Sequence, residues 1–146
     1  MCIRDRVYFE THETGDAIQQ FRLAQQAMEP WAGDPRASST MLFELASTYN
    51  NIANTLVATA NSDREKLREA ISYTQRAVAI LESLSAGDPS NRFYWSNLAA
   101  DYDNLEFPSG VTGNRSAQEF YARKRQEALA RAKGSVPGNV AQSSSQ

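Results

Sequence analysis

Three places in the chain hold residue types that could do chemistry. His12 stands beside Glu13, the carboxylates of Asp101, Asp103 and Glu106 crowd together, and Arg123-Lys124-Arg125 follows the aromatic pair Phe120-Tyr121. A histidine works as a general acid or base only when a partner orients it toward a nucleophile or substrate. His12 is the sole histidine and lies in a polar stretch with no such arrangement, so it reads as an idle, exposed side chain. A hard cation needs oxygens converging from several directions, and one helix offers only one face. The three carboxylates are therefore expected to be a solvated helix face. The basic run could neutralise phosphates while its aromatics stack on bases, but the helices before it are acidic to neutral, which argues against a nucleic-acid partner. One cysteine, Cys2, allows neither an internal disulfide nor a Cys/His zinc site. There is no glycine-rich phosphate loop, since Gly33 and Gly87 belong to turns. No catalytic constellation, metal or cofactor is expected.

Charge and length set the wider frame. The chain has 146 residues, enough for one domain, and a formal net charge of −2. Its first 110 residues hold 9 basic against 15 acidic side chains, while the remainder holds 6 against 2. A basic last helix complements its own macrodipole and is expected to stay solvated. No apolar run approaches the roughly 20 residues that cross a bilayer, and none has the shape of a signal-peptide core, so a cytoplasmic location without membrane contact is expected. The opening MCIRDR resembles translated adapter read-through, and residues 1–6 are set aside as an artefactual leader. On that reading the chain is a fragment beginning inside a repeat, with VYFETHETGDA as the tail of a lost helix. Residues 134–146, rich in Ser and Gln and without periodicity, are expected to be a disordered tail.

The elements between must be helices. Leu42, Leu45, Ala46, Tyr49, Ile52, Ala53, Leu56 and Val57 keep the i, i+3, i+4, i+7 stripe of an amphipathic helix, with Ser38, Ser39 or Thr40 to cap it. A second stripe runs from Leu67 to Leu84 behind Ser62-Asp63 and is closed by Gly87-Asp88-Pro89. A third carries Phe93 to Leu105 and is expected to end before Pro108. Ala17 to Trp31 and Ala117 to Ala132 complete a set of about five helices. No strand signal occurs, so the fold class is all-α.

These helices echo one another. Leu45, Ala46, Tyr49 and Asn51 return fifty-three residues later as Leu98, Ala99, Tyr102 and Asn104. Ala17-Ile18 and Ala24 return at the same lag as Ala70-Ile71 and Ala77, and Gly-Asp-Pro recurs one residue further on. A fixed lag spanning helix, turn and helix is the signature of a repeat array.

The small-x-x-aromatic spacings Ala46-Ser47-Thr48-Tyr49 and Ala99-Ala100-Asp101-Tyr102, the small residues Ala70 and Ala77, and the prolines Pro35 and Pro89 resemble the tetratricopeptide repeat superfamily over about residues 7–132. The lag exceeds that family's usual period of about 34 residues. It is similar to the extended repeats that follow bacterial serine/threonine kinase and other signalling domains. The resemblance implies a right-handed α-solenoid of antiparallel helix pairs over residues 7–133. It also implies a scaffold or adaptor function, binding a peptide or partner protein in a helical groove. The alternative it raises is the regulatory C-terminal region of such a kinase, with its catalytic domain upstream. Carried onto this chain, the groove stripe is Phe43, Ser47, Asn50 and Asn54 on one helix and Ser96, Ala100, Asp103 and Phe107 on its echo. Neither helix carries lysine, which points to a neutral or basic partner and away from a carboxylate clamp. The last helix, with Lys124 and Arg125 at inward positions, reads as a polar capping helix. The first, with Phe21, Met28 and Trp31, would self-associate if left uncovered.

Overall fold

The computed structural model describes the backbone of residues 3–134 and the side chains of residues 15–134. Among the described residues the chain is all-α: α1 (Ile3–Met28), a 3-10 turn (Glu29–Gly33), α2 (Ser39–Thr59), α3 (Arg64–Gly87), α4 (Arg92–Val111) and α5 (Arg115–Ala132). Cys2, the His12 side chain and the tail beyond Gly134 lie outside the described residues.

Helices α2 to α5 each start where a short polar side chain can satisfy a free backbone N–H. Ser38 accepts from Met41 N, Asp63 from Glu65 N and Lys66 N, Asn91 from Phe93 N, and Asn114 from Ala117 N; each such cap contributes about 1 kcal/mol. The recurring Asp-Pro is a pair of equivalent turns. Ala37 N–H donates to Asp34 O at 3.0 Å and Asn91 N–H to Asp88 O at 3.1 Å, with proline at the second position, where its fixed φ is preset for a turn.

Three boundaries differ from the sequence expectation. The Val7 stretch is not the tail of a separate helix, because α1 runs unbroken from Ile3 through Gly15, inside the expected leader at one end; a single mid-helix glycine costs only about 1 kcal/mol. The α-helical face meant to reach Trp31 stops at Met28, where Pro30 cannot donate to the preceding turn and the chain tightens into the 3-10 turn. Conversely, α4 does not end before Pro108 but passes through it to Val111. The proline forfeits one helical bond, its ring is buried, and its carbonyl accepts from both the Thr112 N–H and the Thr112 hydroxyl.

Every helix packs on its neighbour in the chain, and α2 also meets α4. One core cluster joins Leu45, Ala46 and Tyr49 of α2, Ala77, Val78 and Leu81 of α3, Leu98, Ala99, Tyr102 and Leu105 of α4, and Ala128 of α5. A second holds Ile52, Ala53, Leu56 and Ala70, with Ile18 and Phe21 of α1 against it. Phe21 and Met28 are thus half-buried on the chain's own core.

Candidate functional site

The repeat period has a chemical counterpart in three dimensions. Tyr49 donates its hydroxyl to Glu29 Oε2 at 2.7 Å, and Tyr102 donates to Glu82 Oε1 at 2.5 Å. Both donors and both acceptors are related by the fifty-three-residue lag. A cation accompanies each pair too, although Arg76 and Lys124 stand forty-eight residues apart. Arg76 lies over the Tyr49 ring at 5.9 Å and Lys124 over the Tyr102 ring at 5.8 Å. Each cation sits three residues after a second tyrosine on the same helix, Tyr73 or Tyr121, whose ring packs beside the first at 6.1 or 6.4 Å.

Two cavities open at these equivalent places. One, of about 400 Å³, is lined by Glu29, Leu42, Tyr49, Arg76 and Ile80 among others. The other, of about 390 Å³, is lined by Glu82, Trp95, Tyr102, Lys124 and Arg131 among others. Their polar groups are occupied with one another. Burial and the Glu29 carboxylate push the Tyr49 hydroxyl up to about 12, and burial with Glu82 pushes Tyr102 up as well. The Gln25 and Tyr49 hydrogen bonds hold Glu29 below the usual carboxylate range. At neutral pH such tyrosines stay protonated donors and such carboxylates stay acceptors, so each trio is a latch between three helices rather than an acid–base couple.

The residues of the expected groove stripe divide between two environments. On α2, Phe43 is half-buried, with its ring centroid 5.1 Å from that of Phe93 and 6.3 Å from that of Tyr94. Asn50, also half-buried, donates Nδ2 to Asp101 Oδ1 at 2.7 Å. Ser47 is half-buried and Asn54 exposed. On α4, by contrast, Ser96, Ala100, Asp103 and Phe107 are all exposed. The α2 half of the stripe therefore goes largely into the α2–α4 contact, and the α4 half faces solvent.

The acidic cluster is not a uniformly solvated helix face. Asp101 is 2% exposed, and burial pushes its carboxyl up to about 7 despite the Asn50 hydrogen bond. Asp103 accepts from Arg125 Nη1 at 3.0 Å, while Glu106 Oε2 lies 3.2 Å from Arg125 Nε in an ion pair whose alignment falls short of a hydrogen bond. The reason is register. One helical turn carries residues to different sides, and α2 covers the side of α4 that bears Asp101. The basic run is likewise no continuous patch. Lys124 turns to Tyr102, Arg125 turns to α4, and of the three only Arg123 is exposed. Arg125 is thus docked on α4 rather than simply solvated.

The sequence held two signals for these features. Glu29 and Glu82 stand at the common lag, each twenty residues before its tyrosine. Asp101 occupies the register of Thr48, itself buried. Outside these pairs, α4 exposes Phe93, Phe107 and Val111 along one side. At the same registers α2 carries Thr40, Asn54 and Ala58. No group of His, Cys, Asp and Glu among the described residues is arranged to hold a metal, and no described helix is long and apolar enough to cross a membrane. No family model matches the chain, and neither a curated protein nor a solved structure matches it.

Proposed function

We propose that the chain is a protein-interaction module of the tetratricopeptide-like, helical-repeat kind, working in the cytoplasm and presenting the outer face of α4 to a protein or peptide partner. Its helices pair antiparallel and stack as a right-handed solenoid. In support, helices adjacent in sequence pack together, α2 also meets α4, and the Tyr–Glu latch recurs at the repeat lag. Latched tyrosines and carboxylates favour recognition over catalysis.

One observation carries the reading. The outer stripe of α4 is apolar at Phe93, Ala100, Phe107 and Val111, where the equivalent stripe of α2 reads Thr40, Ser47, Asn54 and Ala58. A fold that needs only a solvated face at this register already has one on α2. Phe93 still shows 59% of its surface beyond its contact with Phe43, and Phe107 shows 61%; large exposed aromatics are the residue type that anchors interfaces.

The test is a displayed library of random amphipathic helical peptides panned against the chain. Enriched peptides are expected to bind the wild type and to lose binding to Phe107→Asn, which installs the residue α2 carries at that register. No enrichment, or binding indifferent to Phe107→Asn, overturns the reading.

A further inference from the structure

We infer that the partner of the α4 face is a second copy of this chain, docked as an antiparallel α4–α4 pair whose two-fold axis passes beside Ala100. This inference rests on the reading above, because it names the occupant of that same surface.

The argument starts from spacing. Phe93, Ala100 and Phe107 stand seven residues apart. A straight α-helix drifts by only about 20° per heptad, so the three fall on one narrow stripe. The stripe is symmetric about its centre, with one large ring seven residues to each side of a small residue. When a second α4 is turned antiparallel about Ala100, Phe93 of each copy stands level with Phe107 of the other. Alanine at the axis lets the backbones approach to about 8 Å, so that the flanking rings overlap. An isologous interface must be self-complementary in this way: residue i meets j, and j meets i.

The polar positions fix the direction. Ser96 lies four residues before Ala100 and Asp103 three after it, so the antiparallel pair brings a serine hydroxyl, a donor, to a carboxylate, an acceptor, twice over. A parallel in-register pair would set Asp103 against its own copy, and opposed like charges destabilise a helix pair. Asp103 accepts from Arg125 Nη1 at 3.0 Å, but Arg125 also pairs with Glu106, so a carboxylate charge remains to oppose a parallel copy. The antiparallel pair also aligns opposed helix dipoles.

Area sets the strength. Phe93 is 59% and Phe107 61% exposed, which offers roughly 120 Å² of ring surface each. A standard interface buries about 800 Å² per partner. Two rings and their immediate surroundings fall well short of that, so the dimer is weak and reversible. Phe93 contributes at little ordering cost, because it is already held against Phe43.

Sedimentation velocity on the full chain, from about 10 μM to about 1 mM, reads the association directly. A reversible monomer–dimer equilibrium is expected, with Phe107→Asn raising the Kd at least about 10-fold and leaving the far-UV circular dichroism unchanged. Direction is read by oxidative crosslinking in a Cys2→Ser background. A mixture of Ser96→Cys and Asp103→Cys chains should form the mixed disulfide faster than either chain alone forms its own. A dimer indifferent to Phe107→Asn, or faster crosslinking within each single variant, overturns the antiparallel α4 pair. A chain monomeric throughout overturns it too. If library peptides nevertheless bind that monomer through Phe107, the interaction surface stands and only its occupant was wrong; if none do, both readings fall.

Discussion

Asn50 and Asp101 meet across the α2–α4 contact in a single hydrogen bond that leaves the amide oxygen of Asn50 and the second carboxylate oxygen of Asp101 unpaired. Asn50 Nδ2 donates to Asp101 Oδ1 at 2.7 Å, while Asn50 Oδ1 and Asp101 Oδ2 are buried without a hydrogen-bond partner among the described residues. An ionised carboxylate can only accept, so two buried acceptors stay orphaned; protonation supplies the one donor the pair lacks. Burial accordingly raises the Asp101 carboxyl from its ordinary 3.8 to about 7.

The sign of the resulting pH dependence follows from proton binding. Between about pH 4 and pH 7 the folded chain binds a proton at Asp101 that the unfolded chain releases, so this residue's contribution to stability falls as pH rises through that window and is level above it. The full swing is at most about 4 kcal/mol. Asp101→Asn removes the titration and keeps a two-point amide pairing open. Urea unfolding should show the variant more stable than the wild type at pH 8, by roughly 1–3 kcal/mol, and nearly equal to it at pH 4. Equal stabilities at both pH values would mean that Asp101 does not hold the proton.

Tyr49 and Tyr102 should behave as twins. Removing one hydroxyl by Tyr49→Phe or Tyr102→Phe should cost about 1 kcal/mol, since each acceptor carboxylate is partly exposed and recovers water. The two losses should add in the double variant, because the latches share no residue. In an ultraviolet titration both phenols should stay protonated while ordinary tyrosines ionise near pH 10. The stability that Tyr49 lends is present below about pH 10 and lost as pH rises through about 12. A phenol titration complete by pH 10.5 or so contradicts the latch.

Arg125 of α5 and Glu106 of α4 form an ion pair, Nε to Oε2 at 3.2 Å. Arg125→Ala alone leaves Glu106, whose side chain is 24% exposed, without its counter-charge, and is expected to cost about 1–2 kcal/mol. Glu106→Ala alone should cost about as much. Replacing both leaves neither member of the pair without its counter-charge, so the double variant should lose less than the sum of the two single changes. A double-mutant cycle in denaturant measures this coupling; strict additivity would show that the pair contributes nothing jointly.

What the sequence by itself determined is what depends on residues within one turn of each other or on simple recurrence. Ser38, Asp63 and the apolar stripes of α2 and α3 place those helices, because caps and 3.6-residue periodicity are local matters. The lag that relates Leu45, Ala46 and Tyr49 to Leu98, Ala99 and Tyr102 was equally plain, and all six are buried. Pro108 was misjudged by the same local rule, since only the buried ring and the Thr112 contacts let α4 continue through it.

Which side of a helix meets which neighbour was decided by the tertiary structure alone. Asp101 and Asp103 are two residues apart and chemically alike, yet one is sealed under α2 and the other faces α5 and solvent. Phe43 and Phe107 were both assigned to one groove, yet the first packs against α4 and the second stands 61% exposed. A repeat gives equivalent residues the same helical phase. It does not give them the same neighbours, because α2 has α4 beside it, while on α4 the corresponding positions are exposed but for the Arg125 contact to Asp103.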